Sequence, residues 1–185
     1  MLRLFVVFAL IGVTVGLTGW LHDLHQELQR APAMRYSNAP DYTFNDVVLT
    51  VMGVDGARSY RIEAPRITHF AVSGNAALVV PRIWFFQGKG PPLELHARRA
   101  WVTAAGKRIL LPGKVDIVRP SYANHARLTV KTRNVTVFTN TEIASTNAPV
   151  AAVNGYQRLK SMGMRLNLAA GTLNLPSRVR STYVP

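Results

Sequence analysis

The segment VVLTVMGVDGARSYRIEA, residues 47–64, decides the fold class. Val47, Leu49 and Val51 alternate with their neighbours, Asp55-Gly56 supplies a hairpin turn, and Tyr60, Ile62 and Ala64 alternate again. A period of two is that of a strand, whose successive side chains point to opposite faces. Outward from this hairpin the pattern recurs at Leu78/Val80, Ile83/Phe85, Leu93/Leu95/Ala97, Trp101/Thr103, Ile109/Leu111 and Val115/Ile117. It continues at Leu128/Val130, Val135/Val137, Met162/Met164/Leu166/Leu168 and Leu173/Leu175. Turn residues separate the runs, among them Ser73-Gly74-Asn75, Pro112-Gly113, Asn154-Gly155 and Ala170-Gly171. No stretch beyond residue 40 sustains the i, i+3, i+4 spacing of an amphipathic helix. Many short strands with frequent turns predict an all-β domain over residues 41–185: a sandwich, barrel or jellyroll.

N-terminal to that domain the sequence changes twice. Leu4 to Leu21 (LFVVFALIGVTVGLTGWL) carries no charge and ends on Trp20. Eighteen residues span about 27 Å as a helix, close to a hydrocarbon core of about 30 Å. The run is longer than the usual apolar core of a signal peptide, and Trp20-Leu21-His22-Asp23 is a poor cleavage site. Residues 1–21 are therefore expected to be an uncleaved transmembrane anchor. Arg3 on the short side and Asp23 and Glu27 beyond the other end place the N-terminus in the cytoplasm and the bulk outside. Gly12 and Gly16 form a GxxxG pair, which either lets another membrane helix approach or reflects the ordinary frequency of glycine in such spans. Residues 22–40, polar and then broken by Ala31-Pro32 and Ala39-Pro40, read as a tether.

The 185 residues hold 22 Lys and Arg against nine Asp and Glu, no cysteine, and a formal charge of +13. Without cysteine there is no disulfide framework, thiolate catalyst or zinc ribbon. After Glu94 fourteen basic residues face only Asp116 and Glu142. Nucleic acid would account for the sign, but no aromatic–basic recognition stretch accompanies it, and anionic lipid explains both the sign and the anchor. Nor does an enzyme emerge. There is no GxSxG, HExxH, Walker A loop or GxGxxG, and His69, His96 and His125 stand singly. The sequence offers no paired carboxylates, metal cluster or activated nucleophile, so no catalytic residue, metal or cofactor is expected.

Several segments together carry a resemblance. Gly56 to Ala64, Leu78-Val79-Val80-Pro81 with Phe86, and Leu110-Leu111-Pro112-Gly113-Lys114-Val115-Asp116-Ile117 follow one another at characteristic spacings. Leu128-Thr129-Val130, Asn154-Gly155, Ser161-Met162-Gly163-Met164 and Val179-Arg180-Ser181-Thr182-Tyr183 complete the series. With the N-terminal span, the chain resembles the LptC family, the bitopic inner-membrane component of lipopolysaccharide export, over essentially its whole length. The strong positive charge is not a general trait of that family.

The resemblance implies an open, OstA-like periplasmic β-jellyroll behind a single transmembrane helix. It implies that the domain takes lipopolysaccharide from an inner-membrane ABC transporter (LptF and LptG with the ATPase LptB) and passes it to the periplasmic protein LptA. On that reading Val47, Leu49, Leu78, Val80, Ile83, Phe85, Leu173, Leu175 and Tyr183 line an apolar trough. Alternation alone is equally satisfied by a dry sandwich core. Gly12 and Gly16 would meet the transporter. Gly155 and Pro176 would lie at the LptA junction, with Thr172 to Tyr183 as a single edge strand. A tethered docking module that never touches lipid and an enzyme acting on envelope polysaccharide are the competing classes.

Overall fold

The computed structural model describes residues 39–86 and 90–183. The expected anchor, with Gly12 and Gly16, and the expected tether as far as residue 38 lie outside the described residues, and Pro40, expected to end the tether, begins the first strand. Among those described, no helix is long and apolar enough to cross a membrane.

Twelve antiparallel strands form one continuous sheet. They are β1 (Pro40–Met52), β2 (Arg58–Phe70), β3 (Asn75–Val79), β4 (Arg82–Phe85), β5 (Leu93–Ala97), β6 (Arg99–Val102), β7 (Arg108–Arg119), β8 (Leu128–Phe138), β9 (Ile143–Asn154), β10 (Gln157–Asn167), β11 (Thr172–Asn174) and β12 (Ser177–Tyr183). The opening hairpin is as expected, with Met52 opposite Arg58 and Val51 opposite Tyr60 across the Asp55-Gly56 turn.

The sheet branches. The first half of β2 pairs with β4, which leads through β5 to the second half of β7. The second half of β2 pairs with β3, which leads through β6 to the first half of β7. At the other side β10 pairs with β12 over its first half and with β11 over its second. The sheet is therefore two half-sheets that share their long strands and meet along a crease.

The crease has a chemical signature. Pro65, Pro81, Pro112, Pro149 and Pro176 fall on it, on the lines of β2, β3–β4, β7, β9 and β11–β12, each removing a ladder donor. Beside them the backbone turns to positive φ at Asp46, Val80, Gly113, Asn134 and Gly163. The register slips between Leu111 and Lys114, between Lys131 and Thr136, and between Met162 and Met164. Gly113 N–H donates to Asn134 Oδ1 (2.9 Å), and the Thr132 and Thr146 hydroxyls donate to the Pro149 and Arg133 carbonyls (3.0 and 2.8 Å). Side chains thus satisfy part of what the broken ladder leaves open.

Both half-sheets contribute to one core. Ile62, Ile83, Phe85, Leu93, Leu95 and Ile117 come from the first, and Leu78, Ile109, Leu111, Val137 and Leu166 from the second. Within each half the period of two holds, and at the crease it slips. Ala97 and Ala100 are both buried, so Trp101 points outward and lies against Phe70, ring centroids 5.9 Å apart. Ser161 and Met164 are both buried, so Met162 leaves the row it was expected to share with Met164. The predicted single strand from Thr172 to Tyr183 is two strands, because Pro176 interrupts it opposite the bulge at Gly163.

At Gly163 the backbone has φ +81°, and a Cβ there would stand 3.2 Å from Pro176 Cγ and 3.4 Å from the Thr146 carbonyl oxygen. Gly163→Ala is expected to destabilise the domain by about 1–3 kcal/mol through left-handed strain and this contact. Urea denaturation of the two proteins side by side measures it, and an unchanged midpoint would mean that β10 can straighten without loss.

Candidate functional site

The crease closes one side of the space between the half-sheets; their far lips meet on the other. One lip is made by the turns 53–57, 120–127 and 155–156 with Phe86 and residues 90–92, the other by the turns 71–74, 103–107, 139–142 and 168–171, as the strand registers require. Across this mouth the Ser59 hydroxyl donates to Glu142 Oε1 at 3.1 Å. Glu142 has φ +51°, and its carbonyl accepts from Leu168 N–H at 2.7 Å, so the second lip is tied to its own half-sheet. A cavity of about 420 Å³ sits at the mouth, lined by Arg58, Ser59, Phe86 and Glu142. The Arg58 guanidinium lies over the Phe86 ring, 4.4 Å from its centroid. Burial pushes the nearby Tyr60 phenol above its ordinary pKa.

The two remaining sides are sheet edges. β1 pairs with β2 alone, and its residues Val47, Leu49 and Val51 stand opposite Ala64, Ile62 and Tyr60. Residues directly opposite in an antiparallel pair share a face, so these side chains, with Phe44 opposite Ile67, belong to the coreward face. Their cover is incomplete: Leu49 is 45% and Phe44 56% exposed, while Val47 and Val51 are half-buried. At the other edge Leu173 stands opposite the fully buried Leu166 yet is only half-buried. Tyr183, opposite Gln157 in the coreward row with Leu159, is 65% exposed and lies near Tyr156, with 6.1 Å between ring centroids.

The nine expected lining residues therefore divide. Leu78, Ile83 and Phe85 are at most 2% exposed, inside the closed core. Val47, Leu49, Leu173, Leu175 and Tyr183 form apolar openings at the two sheet edges. Val80 departs from the expected inward row with Leu78, because its φ of +45° turns it out at the crease. There it meets Val47, Ala64 and Pro65 around a cavity of about 440 Å³ that also has Glu63 and Arg82 on its wall. Gly155 forms the β9–β10 turn at φ +59°, where a Cβ would stand 3.0 Å from Ala126 Cβ. Pro176 borders a cavity of about 560 Å³ shared with Phe138, Ile143, Arg165 and Asn174. Sequence reasoning missed Ser59, Glu142 and Phe44; the left-handed turn at Glu142 has no compositional mark.

Of the histidines, His69 fastens one strand to another. His69 Nδ1 is 2.8 Å from Asp41 Oδ1 and stacks on Tyr42 at 4.5 Å, pinning the start of β1 to β2. His96 Nε2 is 2.9 Å from Glu94 Oε1 on the same strand. Partial removal from water raises the Asp41 pKa, but the hydrogen bond from His69, backbone N–H groups and the imidazole charge together hold it below 3.8. A depressed carboxyl stabilises the fold above its unfolded pKa, and that support is lost as pH falls through the lower folded value. Amide exchange at residues 41–43 is therefore expected to accelerate on acidification through and below 3.8. Asp41→Asn should remove that step; an identical step in the variant would assign it to another group.

Residues 6–184 match the family model described as "Lipopolysaccharide-assembly, LptC-related". No curated protein matches the chain. Among solved structures the fold is similar to that of LptH from Pseudomonas aeruginosa, described as the LptA homologous periplasmic component of the conserved lipopolysaccharide transport device. The identity is 10%, the TM-score is 0.52, and the likeness covers 68% of this chain and 95% of that one.

Proposed function

The chain belongs to the LptC-related lipopolysaccharide-assembly family, and we propose on that basis that it receives lipopolysaccharide from the inner-membrane ABC transporter LptB-LptF-LptG and hands it to LptA. Lipid enters beside β1 and leaves beside β11 and β12. Residues 1–21 anchor the protein in the inner membrane, with Gly12 and Gly16 packed against the transporter. Residues 22–40 are the tether, and 41–185 form the periplasmic carrier. Family membership sets the process as lipopolysaccharide transport; the direction, the partners and the topology are this reading.

The observation that carries it is the incompletely covered coreward face at each free edge, with Phe44 and Leu49 exposed and Val47 half-buried on one side and Leu173 and Leu175 half-buried on the other. An ordinary sandwich covers such residues. A carrier leaves them open, because acyl chains cost about 0.8 kcal/mol per methylene to hold in water and need a continuous apolar path. The chain has no nucleotide-binding loop, so on this reading the transporter supplies the drive and this domain holds and passes the lipid.

Photo-crosslinking groups at Val47, Leu49 and Leu173 are expected to trap lipopolysaccharide in cells, and groups at the outward Arg98 to trap none. Equal labelling at both sets would leave a docking module that does not carry lipid inside.

A further inference from the structure

We infer that the free edge of β12 is built to receive a strand carrying carboxylates, so that the partner added there is an acidic edge strand of a different polypeptide. This rests on the reading that β12 is the outgoing junction. The observation is an outward-facing row that crosses the first half-sheet. Successive directly opposed pairs are Val48–Glu63, Glu63–Arg82, Arg82–His96, His96–Asp116 and Asp116–Lys131. Up to this point each carboxylate has a cation or histidine on either side of it or at its inner side. Such alternation favours strand pairing, and directly opposed like charges disfavour it.

Beyond Lys131 the alternation stops. The row continues through Ala151 and Lys160 to Arg180, with Lys160 and Arg180 directly opposed. Arg158 lies one position along β10, and Arg178 stands at a bulge with φ +51°. The only carboxylate after Asp116 is Glu142, which is engaged by Ser59 at the mouth. β12 is exposed along its whole length and, among the described residues, pairs with β10 alone. One more strand with a carboxylate opposite Arg180 would restore the alternation.

The same feature disfavours a second copy of this chain. Continued in register, the row of a second copy places the uncharged Val48 of β1 opposite Arg180; Asp41 is already held by His69, and Asp46 lies two residues out of that register at the left-handed bend of the crease. Bulges and cations on an edge strand also discourage self-pairing, which makes the edge selective as well as receptive.

The test uses the full chain in non-ionic detergent and purified LptA, with affinity measured across salt. Wild-type binding is expected to weaken about tenfold between low and high salt, as the exposed charge pairs along the edge are screened. Lys160→Glu with Arg180→Glu should weaken low-salt binding about tenfold or more and flatten the salt dependence. Both side chains are exposed, and an unchanged melting curve confirms that the fold is retained. Deleting residues 172–185 should abolish binding. If the deletion abolishes binding while charge reversal and salt leave it unchanged, the edge junction stands and the acidic-partner inference falls. If binding survives the deletion, the junction reading falls and the inference with it. Vesicles of phosphatidylglycerol form the last arm. Loss of vesicle binding on charge reversal, with LptA binding intact, would make an anionic lipid surface the occupant and overturn the inference.

Discussion

Bridging residue 59 to residue 142 covalently is expected to abolish lipid loading. The protein has no cysteine, so Ser59→Cys with Glu142→Cys presents a unique pair for a short bis-thiol reagent. The half-sheets are continuous only at the crease, and the Ser59–Glu142 hydrogen bond of 3.1 Å links their opposite lips. Between them the core is closed, with Ile83, Leu93, Leu95, Ile109 and Ile117 fully buried. Acyl chains that enter beside β1 can pass between the half-sheets only if the lips separate. The natural latch contributes about 1 kcal/mol net, whereas burying a dozen methylenes yields about 10 kcal/mol per chain. Lipid therefore overcomes the hydrogen bond and fails against a covalent bridge. Lipopolysaccharide retained on purification, read by native mass spectrometry, should fall at least about tenfold, equivalent to about 1.4 kcal/mol. Each single cysteine variant treated with the same reagent should load normally. Undiminished loading of the bridged protein would place the acyl chains outside the two half-sheets.

The crease explains both why the mouth is movable and why it was hard to foresee. Strand identity was legible from alternation because each half-sheet is covered on one face only, so Val47/Leu49/Val51 and Tyr60/Ile62/Ala64 read cleanly. Where a strand crosses to the facing half-sheet it must bulge, and a single inserted residue reverses every later side chain. Trp101, Met162 and Val80 lie just past such points, and simple alternation assigned each to the wrong side. Asp46 and Asn134 are of types that tolerate the left-handed region, but nothing in composition marks Val80 or Arg178 as left-handed. The usable signal was the series Pro65, Pro81, Pro112, Pro149 and Pro176, a proline on each of the lines of β2, β3–β4, β7, β9 and β11–β12. Prolines so placed cannot belong to uninterrupted central strands, and together they trace the fold line.

The candidate site was legible in part for a related reason. Alternation identifies coreward residues but not what lies opposite them, which depends on where the sheet ends. Leu78 and Leu49 have the same periodic signature, yet one is 2% and the other 45% exposed. The difference is that β3 lies inside the sheet and β1 at its edge. Glu142 escaped notice because its partner Ser59 is 83 residues away and meets it only when the sheet folds over.

Truncating Phe85 separates a lipid path from a permanent core. Phe85 is 2% exposed, packs 5.6 Å from the Tyr60 ring and faces the interior from β4, so Phe85→Ala is expected to cost about 3–5 kcal/mol of stability in lipid-free protein. Much of that loss is the cavity left behind, lined by side chains that have lost their packing partner. If acyl chains occupy the space between the half-sheets, a bound chain fills the cavity. Lipopolysaccharide should then stabilise the variant more than it stabilises wild type. If the interior is a permanent core and lipid rests on the edges, the increment should be the same in both proteins, because the cavity stays empty. Melting curves of the two proteins with and without lipopolysaccharide, at matched ligand excess, give the four values required. A larger increment in Phe85→Ala places lipid beside the β4 core residues, and equal increments would confine it to the edge strips at β1 and β11. The comparison is independent of how far the variant is destabilised, provided both lipid-free proteins melt cooperatively.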